Sequence, residues 1–436
     1  MLRGLSEPGL ADWRRLEQTR FFERFVDERK IVATEVADEA PPGWPGALRH
    51  ERVPLVTYPY EWTFAMLQDA ALLQLDLMLA ALEEDFILKD ATPYNVQFVG
   101  ARPVFIDVGS FEPLDPGQPW EGYRQFCMLF LYPLLLQAWK DVPFAPWLRG
   151  SVEGIEPREL RGLLSARDRL RRGAFTHVFL HARLDARYAG REHVRSELRK
   201  AGFRKELIVA NVRKLRNLVA ALEWSPGTTT WSEYGTTTTY SDEDARRKQA
   251  FVREAAAARR RRMLWDLGAN DGTYTRVAAE HADYAVAFDA DAAVIDRLYR
   301  VLRSEPNESI LPLAVDLTNP SPGTGWRARE RQPLWERGNP DLVLALALVH
   351  HVAVSGNVPL AEIVDWLRSL EATAVVEFVG PEDPMARRLI ERKKEGTHDD
   401  YTRDVWERLL CERFDVERSE ELGGGARVLY RIHPRA

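Results

Sequence analysis

One short turn of this chain collects acids and glycines at a spacing that suits a ligand carrying both a nucleoside and positive charge. In Met263-Leu-Trp-Asp-Leu-Gly-Ala-Asn-Asp-Gly-Thr-Tyr-Thr275 an apolar strand ends at Asp266, turns over Gly268 and Gly272, and opens into a helix near Tyr274. About one strand-helix-strand unit later, Ala285-Val-Ala-Phe-Asp289 ends a second strand in an acid that can grip both hydroxyls of a ribose. The glycines let the backbone approach the ligand. A dinucleotide is disfavoured, because Asn270 stands where a middle glycine is usual and the carboxylates of Asp266 and Asp271 would repel a pyrophosphate.

The run Asp266-x-Gly268-x-Asn270-x-Gly272 resembles motif I of the class I S-adenosylmethionine-dependent methyltransferases, followed by their acidic ribose-binding position. The resemblance covers roughly residues 246–436 and implies S-adenosyl-L-methionine as cofactor. It also implies an α/β fold with a C-terminal, Rossmann-like, seven-stranded sheet. Cofactor contacts are then expected at Asp266, Gly268, Asn270, Gly272, Tyr274, Asp289, Asp316 and Ala347. The strands needed to position them can be read in order. Ser309 to Asp316 is a third strand ending in an acid. Asp341 to His351 is a continuous apolar run of the kind buried on both faces, and Ala374 to Val379 is a fifth strand. Phe414 to Glu417 and Ala426 to His433 form a closing antiparallel pair. Helices are expected over 291–302, 360–370 and 404–412.

Methyl transfer from a sulfonium requires an aligned nucleophile, exclusion of water and, for a hydroxyl, a proton acceptor. His350 and His351 follow the fourth strand, where such a fold opens onto the methyl group, and are the candidate catalytic bases. Glu377 is an acid inside an apolar strand; it needs either a partner or a raised pKa and is the third catalytic candidate. In the segment 319–335, Trp326 and Arg327, with Arg329 and Arg331, suit an anionic or sugar-bearing acceptor or serve to fasten the loop. No metal site is expected. Paired histidines suit a weakly acidic hydroxyl better than an amine, so O-methylation of a small-molecule or glycan acceptor is the expected reaction.

The first half holds a second constellation. After a long apolar helix over 61–83 comes Asp90-x-x-x-x-Asn95, then a strand, a turn at 100–102, a strand, and Asp107-x-Gly109. This spacing is similar to the catalytic loop and metal-binding acid of small-molecule kinases. The resemblance implies an α+β domain related to a kinase C-lobe, with Asp90 taking a hydroxyl proton and Asn95 and Asp107 holding magnesium. Fewer than about 60 residues precede the helix and no glycine-rich phosphate loop is present, so a degenerate, non-phosphorylating scaffold is expected.

A chain of 436 residues implies several domains, here read as 1–150 (kinase-like), 151–223 (helical bridge), 224–245 (lid or linker) and 246–436 (methyltransferase-like). The 224–245 stretch is threonine-rich and punctuated by Trp231, Tyr234 and Tyr240, which would either cover the cofactor or pack between domains. A net charge of −6 argues against nucleic acid as an obligate partner. Two distant cysteines and no secretory pattern point to the cytoplasm, and the apolar window 126–139 is too short to span a membrane, so no membrane association is expected. The runs Asp316-Leu-Thr-Asn-Pro-Ser-Pro, Leu344-Ala-Leu-Ala-Leu-Val-His-His and Asn357-Val-Pro-Leu are similar to those of a bacterial methyltransferase-like group that includes nodulation proteins. A non-catalytic S-adenosylmethionine-binding scaffold and a bifunctional kinase and methyltransferase fit the same residues. The acceptor and the oligomeric state are not encoded in any motif.

Overall fold

A computed structural model describes residues 1–183, 204–226, 241–305 and 308–435. The chain divides into two compact units, Met1–Pro226 and Gly227–Ala436.

In the first unit, β1 (Leu2–Leu5), β2 (Thr34–Val36) and β3 (Gly46–His50) form an antiparallel sheet of order β1-β3-β2. The core is α1 (Phe64–Glu83), apolar on nearly every face and buried along most of its length. It is long and apolar enough to cross a membrane, yet its apolar surface is spent on the interior of this unit. Two small antiparallel pairs follow: β4 (Phe86–Leu88) with β7 (Phe111–Pro113), and β5 (Val96–Val99) with β6 (Arg102–Phe105). The apolar window at 126–139 is a buried helix, as its composition requires. A wide turn over Cys127–Leu131 precedes Pro133, whose missing N–H falls in the first turn of the segment Tyr132–Lys140. The described parts of the segment expected to be a bridge, 151–183 and 204–223, fall within this unit. The helix α2 (Lys205–Ala220) packs on α1, where the Gln68 amide donates to the carbonyls of Val219 and Leu222 at 2.8 Å each.

The second unit is a seven-stranded sheet of order β10-β9-β8-β11-β12-β14-β13. Its strands are β8 (Arg261–Leu267), β9 (Ala282–Asp289), β10 (Ile310–Ala314), β11 (Leu342–Ala345), β12 (Thr373–Val379), β13 (Phe414–Leu422) and β14 (Arg427–Pro434). The first five are parallel, and β14 runs antiparallel to both neighbours, giving the closing pair that the sequence leads one to expect. Strand order reverses beside β8, with β9 on one side and β11 on the other. A crevice forms there at the carboxyl ends of the strands. The helices α3 (Asp242–Ala257), α4 (Thr273–Ala279), α5 (Ala292–Arg303), α6 (Leu360–Ser369) and α7 (Arg403–Arg413) accompany the sheet, the last four close to the expected positions. One strand is shorter than its apolar run implies: β11 stops at Ala345, Ala347 turns left-handed at φ 50°, and a wide helical turn spans His351–Ser355. The residues that follow Ala345, Leu346-Ala-Leu-Val349, are as apolar as the strand, so the sequence carries no change of polarity where the backbone changes direction.

Candidate active site

The turn after β8 is built as its residue types require. Gly268 and Gly272 adopt φ of 85° and 79°, and Asn270 adopts 49°, a conformation asparagine tolerates better than most side chains. At Gly272 a Cβ would lie 2.8 Å from the side chain of Leu298, so glycine is needed for space as well as for φ. The N–H groups of Gly268 and Ala269 both donate to the carbonyl of Phe288 at 2.8 Å, tying the turn to β9. At the end of that strand, Asp289 accepts hydrogen bonds at 2.9 Å from the N–H groups of Asn270 and Asp291.

Asp266 is buried at the end of β8 and accepts from the Thr275 hydroxyl at 2.5 Å. Burial, opposed by Thr275 and Lys248 and reinforced by Asp289 and Asp271, pushes its carboxyl up to about 7. Burial also raises Asp289. A cation placed here would reverse both shifts. Asp316 holds its own turn by accepting from the N–H and hydroxyl of Thr318 at 2.9 and 2.7 Å.

These residues line one cavity of about 610 Å³, a size suited to a small organic ligand. All eight expected cofactor positions lie on its wall except Gly272, which shapes the turn from behind. His350 and His351 lie on the same wall with ring centroids 4.0 Å apart. His350 is 1% exposed, and its Nδ1 has no hydrogen-bond partner. Burial, then the neighbouring His351, Arg427 and Lys248, holds His350 well below the usual histidine range; burial and Arg427 bring His351 down to about 4. Both rings are therefore neutral at physiological pH.

Glu377 is not placed as its substrate-facing assignment requires. It is fully buried, lies off the cavity wall, and pairs with Lys248 at 2.7 Å and Arg427 at 3.5 Å. An acid in an apolar strand had to find a counter-charge, and the structure supplies two. Arg427 also binds Asp383 at 2.7 Å. Lys248 and Arg427 both reach the cavity and were not anticipated. A signal for Lys248 exists: it shares a helical stripe with the buried Phe251, Val252 and Ala255, where a lysine is out of place. Trp326 is 78% exposed, and neither it nor Arg327 lines the cavity. Trp231, Tyr234 and Tyr240 lie outside the described residues.

In the first unit, Asn95 precedes β5 and Asp107 follows β6, and the Ile106 N–H donates to the Asn95 carbonyl at 2.9 Å; burial raises the Asp90 carboxyl, and the charge of Asp107 adds to that. Asp107 is ion-paired with Arg3 of β1. The Arg3 guanidinium lies against Gly109, where a Cβ would be 2.7 Å from it. Lys30 pairs with Glu28 and rests on the Phe25 ring. Among the described residues no group of three or more His, Cys, Asp or Glu side chains is arranged to hold a metal.

No protein-family model matches the chain. It is 37% identical over 387 residues to the nodulation protein NoeA of Rhizobium meliloti (strain 1021), spanning 88% of this chain and 81% of NoeA. Among solved structures it is similar to the N-methyltransferase NodS of Bradyrhizobium japonicum WM9 at 13% identity, with 45% of this chain and 98% of NodS covered and a TM-score of 0.33. The magnesium protoporphyrin IX methyltransferase of Synechocystis PCC 6803 is similar at 12% identity, with 48% and 86% covered and a TM-score of 0.31.

Proposed function

The chain belongs to the family of the nodulation protein NoeA, and from its cavity we propose a class I methyltransferase that moves a methyl group from S-adenosyl-L-methionine to a hydroxyl of a small-molecule or glycan acceptor. The observation that carries this reading is one cavity whose wall joins the turn after β8, the acids Asp289 and Asp316, and two neutral histidines. Asp289 would hold the ribose, Asp316 the adenine edge, and Asp266 the positive end of the amino-acid group. When bound, the donor supplies an electrophilic methyl on a sulfonium. Around it the chain's own residues have three tasks. The turn orients, the apolar wall of Leu346, Leu348 and Val352 excludes water, and a neutral imidazole accepts the acceptor's proton as the oxygen–carbon bond forms. Lowered in this way, both imidazoles are unprotonated at neutral pH, the form a proton acceptor needs.

Calorimetric titration with S-adenosylhomocysteine tests the reading. Micromolar binding that vanishes in Asp289→Ala supports it, and turnover of labelled donor against hydroxylated acceptors completes it. Binding without turnover on any acceptor leaves a cofactor-binding scaffold; no binding removes the donor site. For the first unit the proposal is a kinase-derived scaffold without phosphotransfer, because Arg3 already neutralises the acid that would hold magnesium. A cytoplasmic location fits the two free cysteines, Cys127 and Cys411.

A further inference from the structure

The histidines reach the cavity on a segment of unfavourable shape. It is bracketed by two left-handed residues that are not glycine, Ala347 at φ 50° and Asn357 at φ 53°. Between them the wide turn His351–Ser355 closes with the Gly356 N–H donating to the His351 carbonyl at 2.9 Å. Left-handed residues with a Cβ persist only where their surroundings over-determine them. On its front the turn faces the donor cavity, lined there by His351, Val352 and Ser355. Behind it lies a second cavity of about 160 Å³, between Ala353, Asn357 and Val358 on one side and Thr397, His398 and Tyr401 on the other. Open space on both sides deprives part of the turn of close-packed neighbours, so bonds must supply some of its restraint. Two contacts hold its far end. Gly356 approaches the Val352 carbonyl and the Thr318 side chain so closely that a Cβ would lie 2.7 and 2.9 Å from them. The second contact comes from Lys393, beyond the short helix Pro384–Ile390, whose Met385 lines the donor cavity. The Lys393 ammonium donates to Asn357 Oδ1 at 2.9 Å and to the Ser355 carbonyl at 3.3 Å. Among the described residues it makes no ion pair, so its charge is spent on two neutral oxygens at the carbonyl end of the turn, where a cation is favoured.

We propose that Lys393 is a positioning residue for the methyl transfer: by clasping the Asn357 side chain and the Ser355 carbonyl, it holds the turn that carries His351 against the donor cavity. This rests on the reading of His351 as proton acceptor. The test uses the full chain and Lys393→Met. The amide hydrogens of Gly356 and Val358 donate to the carbonyls of His351 and Val352, and in the variant they exchange with solvent about tenfold faster or more. The His351 ring signal shifts in NMR spectra. The Gly268 and Ala269 amides after β8 keep their exchange rates, and affinity for S-adenosylhomocysteine stays within about twofold. Turnover of labelled donor falls roughly 10- to 100-fold at unchanged donor KM, because a displaced base costs rate and not donor binding. Lys393→Arg, whose guanidinium can donate to both oxygens, restores the exchange rates and the ring signal. Unchanged exchange and an unmoved ring signal in Lys393→Met overturn the clasp. Faster exchange in both turns alike, donor affinity lost in step, or full turnover from a loosened turn overturns the positioning role. Exchange and the ring signal need no acceptor, so this failure is distinguishable from failure of the base reading, in which His351→Ala keeps full turnover.

Discussion

Two acids end comparable strands in the two units, and their surroundings differ in kind. Asp107 follows β6 of the first unit and carries its own cation, Arg3, whose guanidinium covers the neighbouring Gly109. Asp266 ends β8 of the second unit on a cavity wall, among further aspartates, and burial pushes it up to about 7. A carboxylate with a built-in counter-charge has no electrostatic demand left for a ligand. One that is buried among like charges gains from any cation that enters. The residue type is the same in both places, and the neighbour decides the role.

The largest effect expected from this contrast lies on the reacting side of the cavity. His351→Ala lowers turnover by about 10²- to 10⁴-fold, the usual worth of a positioned base, while calorimetry shows S-adenosylhomocysteine affinity nearly intact. Lost cofactor affinity would show that the ring belongs to the donor site instead. Because both histidines stay neutral, turnover at saturating donor should show no acid limb near pH 6.5.

Gly272→Ala comes next. It forces a side chain into a backbone at φ 79° and against Leu298, and should cost about 1–3 kcal/mol in denaturant unfolding. An unchanged midpoint would mean that the turn is looser than described.

The Asp266 contrast is sharpened by pH. Its folded-state pKa is raised, so the empty protein holds a proton there that the unfolded chain releases near pH 4. Its contribution is present at low pH and lost as pH rises to about 7. A cationic ligand favours the ionised form, so affinity for S-adenosylhomocysteine should fall by up to roughly tenfold per unit as pH drops below about 7. Asp266→Asn should flatten that dependence; a slope that persists would place the titration elsewhere.

The smallest effect belongs to the first unit. The Arg3–Asp107 pair is partly exposed, so Arg3→Ala should cost about 0–1 kcal/mol, read as a small change in Tm. Magnesium-ATP should leave the Tm of the wild-type protein unchanged; a clear stabilisation would break the comparison and revive a working phosphotransferase.

The turn at 266–272, the strand-end acid Asp289 and the histidines at 350–351 were legible because their signals are local. A left-handed glycine, an acid at a strand end and a polar pair after an apolar run each occupy a few adjacent residues. The misfits were legible only as misfits. Glu377 in an apolar strand and Lys248 on an apolar helical stripe each announce a missing partner, but 129 positions separate them, and nothing in the sequence says that each answers the other. The end of β11 was not legible either, since the apolar run continues unchanged through Leu346-Ala-Leu-Val349 after the strand stops at Ala345.

The order of apolar strands and helices therefore determines the α/β sheet of the second unit, and the composition of one turn determines where its ligand cavity opens. How the buried charges are paired was decided by tertiary structure alone. Burying a charge in a low dielectric demands an opposite charge at contact distance, and only the folded chain brings distant partners together: Glu377 to Lys248, Asp383 to Arg427, and Asp107 to Arg3.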